Sequence, residues 1–178
     1  FPADGAAMSI TTSGFPKSGT HALAKACQLL GLPCRPQHIP FGAKVAGPHL
    51  FIKRDPRDVL VSWLRFIGQP VTPGMVITAF RQFQSRPLVE EMAEFSGWLD
   101  DPDTMVVRYE DLIRDDAEMR RIAQHVGVPY IDGAWQALPG LTYSWRQPHS
   151  DWGPVWTPEV DAVWQAEGGP KLMAAWGY

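Results

Sequence analysis

Short apolar runs alternate with amphipathic segments along most of the chain. Residues 8–12, 49–55 and 104–112 are compact apolar or β-prone runs, a pattern typical of buried strands. Apolar positions recur at helical spacing elsewhere, which predicts helices over residues 20–30, 56–68, 73–85, 87–99 and 115–129. Strands that alternate with helices predict a three-layer α/β domain with a central, mostly parallel sheet. The carboxyl ends of the three strands should then converge at one edge of the sheet, where ligands bind.

Two stretches depart from this alternation. Residues 31–42 contain three prolines, which exclude a continuous helix, so we expect an extended connection that can include a short strand ending at His38. The C-terminal region is rich in Trp and Pro and shows little regular periodicity before Thr157. The length of 178 residues fits one domain, and we expect residues 1–7 to be an added remnant and residues 8–178 to form that domain.

Composition narrows the class of protein. The net charge is -3, from 16 basic and 19 acidic residues, which argues against a nucleic-acid partner. No apolar run reaches the roughly 18 residues of a membrane helix, so we expect no membrane span. Cys27 and Cys34 are too few for a disulfide framework or a metal cluster, and a reducing cytoplasmic location fits them.

The stretch GFPKSGTH, residues 14–21, has the parts of an anion site. A glycine-containing turn between a strand and a helix directs backbone N–H groups inward, and the helix dipole favours negative charge. Lys17 adds a mobile positive charge, and Ser18 and Thr20 add hydroxyl donors. An ordinary strand–helix turn with a solvated lysine is the alternative.

The glycine spacing is that of a nucleoside-triphosphate loop, but the residues after it are not. Gly14 and Gly19 keep the G-x-x-x-x-G spacing, whereas Thr20 and His21 stand where Lys and Ser or Thr should follow. A triphosphate-binding kinase or GTPase is therefore disfavoured. The order P-K-S-G-T, residues 16–20, resembles instead the 5′-phosphosulfate loop of the sulfotransferases that use 3′-phosphoadenosine 5′-phosphosulfate (PAPS), which usually reads P-K-S-G-T-T-W.

A second motif resembles the same family. KRDPRDVLVSW, residues 53–63, is similar to the family's 3′-phosphate motif, in which an arginine and a serine eight residues apart grip the phosphate. Arg54 and Ser62 have that spacing, and a guanidinium suits a phosphate chemically. The alternatives are a salt bridge of Arg54 with Asp55, Asp58 or Glu110, and simple helix packing for Ser62.

Two further segments resemble the family more loosely. YEDL, residues 109–112, implies that Tyr109 lies near the adenine, while we expect Glu110 and Asp111 to hold loops through backbone N–H groups. The segment of residues 143–159 resembles the one that closes over the donor, and it makes Arg146 a candidate 3′-phosphate ligand.

The resemblance implies an enzyme with the P-loop NTPase-like sulfotransferase fold. It implies PAPS as sulfuryl donor, 3′-phosphoadenosine 5′-phosphate (PAP) as product, and no metal. Lys17 would neutralise the leaving phosphate, and His38, in a stretch similar to the family's T-H-x-P segment, would be the general base. His21 and an unidentified carboxylate are rival bases. The donor-binding residues implied are Pro16, Lys17, Ser18, Gly19, Thr20, His21, Arg54, Ser62, Tyr109 and Arg146.

Two departures and two alternatives remain. His21 and Ala22 replace the threonine and the tryptophan of the family's loop, so the adenine needs another aromatic cover, for which Trp145 and Trp152 are candidates. The alternatives are a P-loop small-molecule kinase and a catalytically silent nucleotide-binding module. The acceptor, a hydroxyl of a small molecule, glycan or carrier-bound group, would lie against the segments 36–47, 66–90 and 138–156, whose sequence does not identify it.

Overall fold

A parallel sheet of three strands forms the centre of the molecule. The computed structural model describes residues 10–141, without the side chains of residues 140 and 141, and residues 152–178. The strands β1 (Thr11–Gly14), β2 (His49–Lys53) and β3 (Thr104–Arg108) lie side by side in that order. Both pairings are parallel, with Gly14 opposite Ile52 and Lys53 opposite Arg108 at the carboxyl ends. The predicted α/β fold with a parallel central sheet is confirmed.

Helices surround the sheet in the described ranges. The α-helices are α1 (Thr20–Leu29), α2 (Pro56–Phe66), α3 (Pro73–Arg81), α4 (Leu88–Ala93), α5 (Tyr109–Leu112), α6 (Ala117–Val126), α7 (Ala134–Ala137), α8 (Pro158–Ala166) and α9 (Gly169–Trp176). Short 3₁₀ turns occupy Phe41–Ala43, Ser96–Leu99, Leu138–Leu141 and Gly153–Val155. No helix in these ranges is long and apolar enough to cross a membrane.

The strands bury both faces, which makes the structure three-layered. Along β2, Leu50 and Ile52 pack into one apolar cluster with α1 and α6, whereas Phe51 packs into a second cluster with α2 and α9. Alternate residues of a strand point to opposite faces, so one strand serves two cores. Near-continuous burial along β2 is what a strand covered on both faces requires.

Several predicted boundaries shift in the structure. The predicted strand over 104–112 ends at Arg108, where its last partner Lys53 lies, and YEDL instead forms α5. The helix predicted over 73–85 ends at Arg81, and the one predicted over 87–99 is α4 followed by a 3₁₀ turn. Local propensity marks the existence of these elements, while their ends depend on partners distant in sequence.

The connection after α1 is extended, as predicted, but forms no strand. Side chains of β1 hold it instead: Thr12 Oγ1 donates to Arg35 O at 2.7 Å, and Ser13 Oγ donates to Ile39 O at 2.9 Å. Ile39 N donates back to Ser13 Oγ at 2.8 Å. Prolines lack the N–H that a ladder needs, so side-chain bonds take the place of backbone pairing. His38 is thereby fixed beside the end of β1.

The loop between β1 and α1 fits closely against the rest of the sheet. A Cβ on Gly14 would lie 2.6 Å from Ile52 Cγ2, and a Cβ on Gly19 would lie 2.4 Å from Tyr109 Cδ2. Gly19 also has φ +110, and Lys17, at φ +69, is the one non-glycine residue with positive φ in the described ranges. The two glycines therefore allow the loop to approach β2 and α5.

We predict that Gly19→Ala destabilises the protein more than Gly31→Ala does. Both positions have positive φ, but a Cβ at Gly31 meets nothing within 4 Å. Gly31→Ala should lower the free energy of unfolding by about 1–2 kcal/mol from backbone strain. Gly19→Ala adds the clash with Tyr109 and should cost about 2–5 kcal/mol. Urea unfolding measures both, and equal losses would show that the loop does not rest on Tyr109 as described.

We also predict that stability falls on acidification because of His49. Its side chain is 1 % exposed, its ring lies 4.9 Å from that of Trp98, and neither ring nitrogen has a hydrogen-bond partner among the described residues. Burial, assisted by the Lys44 charge, lowers the pKa of His49 below its usual 6.5. The unfolded chain therefore binds a proton at His49 more readily than the folded chain does. As the pH falls below about 6.5, the free energy of unfolding decreases by at most about 1.4 kcal/mol per pH unit.

The measurement compares urea unfolding at pH 7.5 and 5.5. His49→Phe should reduce the difference between the two values, whereas the matched variant His125→Gln, at an exposed position, should leave it unchanged. An undiminished difference in His49→Phe would assign the acid sensitivity to other groups.

Candidate functional site

The N-terminus of α1 has no side-chain cap. It shares this with five other described helices, whereas α2, α3 and α8 are capped: Asp55 accepts from Arg57 N in α2, and Thr72 accepts from Met75 N in α3. At α1 the residue before the helix is Gly19, which has no side chain to offer. The first N–H groups of a helix lack intrahelical partners, and the dipole makes this end positive. The α1 terminus is thus open to an anion at the carboxyl edge of the sheet.

Ser18 anchors the loop from inside. It is fully buried, and its Oγ lies 2.7 Å from Phe15 O and 3.1 Å from Ile52 O, while its N–H donates to Phe15 O at 3.0 Å. Its hydroxyl proton therefore bonds within the protein, and an anion-binding role for Ser18 stays a prediction. Thr20 is also buried, and Pro16 is half-buried on the same loop.

Lys17 lies at the exposed side of the loop, close to the end of α2. Its Nζ is 4.2 Å from the centre of the Phe66 ring, a cation–π contact. Partial burial and the neighbouring charge of Arg54 lower the pKa of Lys17 below its usual 10.5. The positive charges of Lys17 and Arg54 therefore repel one another, and a bound anion would offset that repulsion.

Arg54 directly follows β2 and stands over an aromatic ring. Its guanidinium carbon is 4.5 Å from the centre of the Tyr109 ring. Its Nε is buried and has no hydrogen-bond partner among the described residues. A buried guanidinium N–H without an acceptor is costly, and it marks a place where an acceptor fits.

Two of the carboxylates that could have neutralised Arg54 are bound elsewhere. Asp55 forms a bidentate salt bridge with Arg57, with distances of 3.0 Å (Nε–Oδ1) and 2.7 Å (Nη2–Oδ2). Glu110 accepts from Asp55 N at 3.0 Å and from Tyr178 Oη at 2.8 Å. The salt bridges of Arg54 with Asp55 and Glu110 that the sequence left open are therefore absent, and the expected loop-holding role of Glu110 is seen directly.

Ser62 lies on the face of α2 that leads to Lys17. It is half-buried, makes no hydrogen bond among the described residues, and precedes Phe66 by one helical turn. Residues four apart on a helix share a face, so Ser62 lies on the same face of α2 as Phe66, whose ring contacts Lys17. The structure thus brings the Ser62 and Lys17 regions together, while the ligand of Ser62 stays a prediction.

His38 is oriented by the loop itself. Its Nδ1 lies 2.9 Å from Gly14 O. A carbonyl oxygen only accepts, so Nδ1 carries the proton, and Nε2 of the neutral ring keeps its lone pair. His21 is exposed on the first turn of α1, where partial burial and the charges of Lys17, His38 and Lys25 lower its pKa. The two candidate bases are thus close enough for the charge of His38 to act on His21, and their roles stay predictions.

Tyr109 is 6 % exposed, and its ring packs against both Gly19 and the Arg54 guanidinium. Its proximity to an adenine stays a prediction. Trp152, a candidate cover for the adenine, stacks on Arg57 at 3.8 Å. Arg146 and Trp145 lie outside the described residues. No group of three or more His, Cys, Asp or Glu side chains in the described part of the chain could hold a metal.

Two contacts of the site were missed from the sequence. Phe66 belongs to the segment 66–90, which the sequence predicts to face the acceptor, but its ring contacts Lys17. Its position four residues after Ser62 is the sequence signal for this contact. The stacking of Arg57 on Trp152 joins residues 95 positions apart, and no local pattern announces it.

Comparison with known proteins identifies the family. The sulfotransferase domain family matches residues 48–138, just over half of the chain, which include Arg54, Ser62 and Tyr109. Among solved structures, mouse sulfotransferase SULT7A1 complexed with PAP matches with a TM-score of 0.72 and 15% identity, over 95% of this chain and 86% of that one. A search of curated proteins found no match.

The structural likeness shows the fold, and the family match shows more than the fold. The matched residues include Arg54 and Tyr109, whose guanidinium carbon and ring centre lie 4.5 Å apart. The chain therefore belongs to the sulfotransferase family, enzymes that transfer sulfuryl groups.

Proposed function

We propose that this sulfotransferase takes its sulfuryl group from PAPS and transfers it by in-line displacement to a hydroxyl of a small molecule, glycan or carrier-bound acceptor. One observation carries the proposal: Lys17 and Arg54 lie together at the uncapped start of α1, and neither is paired with a carboxylate among the described residues. The matching mouse structure contains PAP, which supports a donor of the same kind.

The chemistry of the site fits such a donor. The orphaned Arg54 Nε and the half-buried Ser62 hydroxyl suit a 3′-phosphate, and the open N–H groups of Thr20 and His21 suit a 5′-phosphosulfate. When bound, PAPS supplies the sulfuryl group and leaves as a bisphosphate. In this account the positive charge that faces the donor comes from Lys17, Arg54 and the N-terminus of α1.

Lys17 is suited to the negative charge that grows on the leaving phosphate. Its flexible side chain reaches out of the loop, and its contact with Phe66 is weak enough to be given up for an anion. Positioned charge of this kind is the main source of rate enhancement in group transfer between oxygens.

His38 is suited to remove the acceptor proton. The bond from Nδ1 to Gly14 O fixes the ring and leaves Nε2 as the basic atom. The Gly14 carbonyl lies at the start of the loop that carries Lys17, so the base and the cation share one rigid support.

We expect Lys17→Ala and Arg54→Ala to fail in different ways. Lys17→Ala removes charge needed mainly as the leaving group departs, so kcat should fall roughly 100- to 1,000-fold. Arg54→Ala removes a ground-state contact, so the Kd for PAP should rise roughly 10- to 100-fold, with a smaller change in kcat. Calorimetry with PAP and a radiolabelled sulfuryl-transfer assay measure the two effects.

Lys25→Ala is the matched control for the loss of a lysine. Lys25 lies on α1 and bonds to Gln28 at 3.0 Å, away from the open helix end. It should retain full activity. Ala at position 17 keeps a Cβ and therefore adds no backbone strain at φ +69. Full activity of Lys17→Ala would refute the proposed mechanism, and tighter binding of ATP–magnesium than of PAP would favour the kinase alternative.

His38→Asn should lower kcat while leaving the affinity for PAP within about 3-fold. The amide N–H₂ of Asn can replace Nδ1–H as the donor to Gly14 O, but the variant has no basic atom at the Nε2 position. Loss of a general base costs roughly 100- to 10,000-fold in rate.

His21→Asn serves as the comparison, because His21 is the rival base at the same site. A large loss in His21→Asn with near-normal activity in His38→Asn would exchange the two roles. A radiolabelled-sulfate screen across phenols, alcohols and glycans supplies the acceptor for these assays.

A further inference from the structure

The turn that carries Arg54 is held by the start of α5, which directly follows β3. Asp55 N, the peptide N–H that directly follows Arg54, donates to Glu110 Oε1 at 3.0 Å. The residue before Glu110 is Tyr109, whose ring lies 4.5 Å from the Arg54 guanidinium. The dipeptide Tyr109–Glu110 thus holds Arg54 at two places, under its guanidinium and at its following peptide N–H.

Glu110 is itself fixed from the other side. Tyr178 Oη donates to Glu110 Oε2 at 2.8 Å, so each carboxylate oxygen has its own donor. The Tyr178 ring is held by cations at the ends of β2 and β3: the guanidinium carbon of Arg108 is 4.7 Å and Lys53 Nζ 5.3 Å from its centre. Lys53 Nζ also donates to Trp176 O at 2.6 Å, which fastens the end of α9 to β2.

Glu110 does not neutralise the arginine that it holds in place. The nearest cation of an ion pair to Glu110 is Arg108, at 4.0 Å, and both oxygens are occupied by neutral donors at shorter distances. The carboxylate therefore orients the turn without removing the positive charge of Arg54. A side chain that only balanced charge would contact the guanidinium itself.

We propose that Glu110, held by Tyr178, is a positioning residue that directs Arg54 toward the 3′-phosphate of the donor and so sets the preference for a 3′-phosphorylated nucleotide. This inference rests on the proposed function, in which Arg54 binds that phosphate. Glu110 touches no ligand group in this role; it fixes the peptide plane from which the Arg54 side chain leaves β2.

The test compares two ligands that differ only in the 3′-phosphate, PAP and adenosine 5′-monophosphate (AMP). Calorimetry gives the ratio of their Kd values for each variant. Glu110→Ala should weaken PAP binding roughly 10-fold, because a mispositioned binding group loses much of its effect. The Kd for AMP should change less than 2-fold.

Conservative variants separate positioning from charge. Glu110→Gln keeps a carbonyl oxygen for Asp55 N, and its amide can donate to the Tyr178 oxygen, so the preference for PAP should stay within about 3-fold of wild type. Tyr178→Phe removes one hydrogen bond and should lower the preference about 3-fold. In an Arg54→Ala background, Glu110→Ala should cause no further loss of PAP affinity, since coupled residues are not additive.

Glu91→Ala is the matched structural control. Glu91 is buried and its Oε1 accepts from three backbone N–H groups, those of Gln84, Ser85 and Arg86, at 2.9–3.1 Å. It therefore holds a loop as Glu110 does, but away from Arg54. Glu91→Ala should lower the Tm and leave the ratio of Kd values for PAP and AMP unchanged.

The outcomes distinguish the two levels of proposal. If wild-type protein does not prefer PAP to AMP, the proposed donor is wrong. If wild type prefers PAP and Glu110→Ala keeps that preference, the positioning role is wrong and the donor stands. Should Glu110→Ala not fold, unchanged preference in Tyr178→Phe, or additive loss in Arg54→Ala with Tyr178→Phe, overturns the inference.

Discussion

Positive charge at the carboxyl edge of the sheet, with no ion pair to Lys17 or Arg54 among the described residues, is the constraint on which the rest of the structure depends. Lys17 and Arg54 stand close enough for one to lower the pKa of the other. Proteins usually neutralise such a pair with a carboxylate, but here Asp55 and Glu110 bind other donors. The two apolar layers on either side of the sheet must supply the stability that this repulsion removes. An anion in the site would return part of it.

The backbone of the loop between β1 and α1 also has conformations that are locally unfavourable. Lys17 has a left-handed conformation that a residue with a side chain seldom adopts. Gly19 has no room for a methyl group against Tyr109. Such conformations persist only where packing fixes them, and here the buried Ser18 hydroxyl and β2 do so. Contacts within the protein thus hold the loop in this conformation without a ligand, and preorganisation of this kind favours tight binding.

Sequence patterns predicted the parts of this molecule that depend on neighbouring residues. The three strands follow from local periodicity. The roles of the loop at Lys17 and of Arg54 and Ser62 rest on the resemblance of their motifs to the family, and they stay predictions. The inward hydroxyl of Ser18 depends on the position of Ile52 in β2, and no short pattern encodes that contact. The bond from His38 to Gly14 depends on how the 33–40 segment lies beside β1. The bond between Glu110 and Tyr178 joins residues 68 positions apart. Contacts of this range are decided by the packing of α9 against the sheet.

The family match and the loop motif cover different parts of the site, and the geometry joins them. The match begins at residue 48 and so excludes the loop, yet Gly19 rests on Tyr109 and Lys17 lies beside Arg54. A loop in such contact with matched residues is constrained by them. Ala22 is 5 % exposed within the core, so a tryptophan there would displace packed side chains. In the proposed donor complex an aromatic side chain from another segment must therefore cover the adenine. The packing of α1 in the core thus explains why alanine stands at position 22.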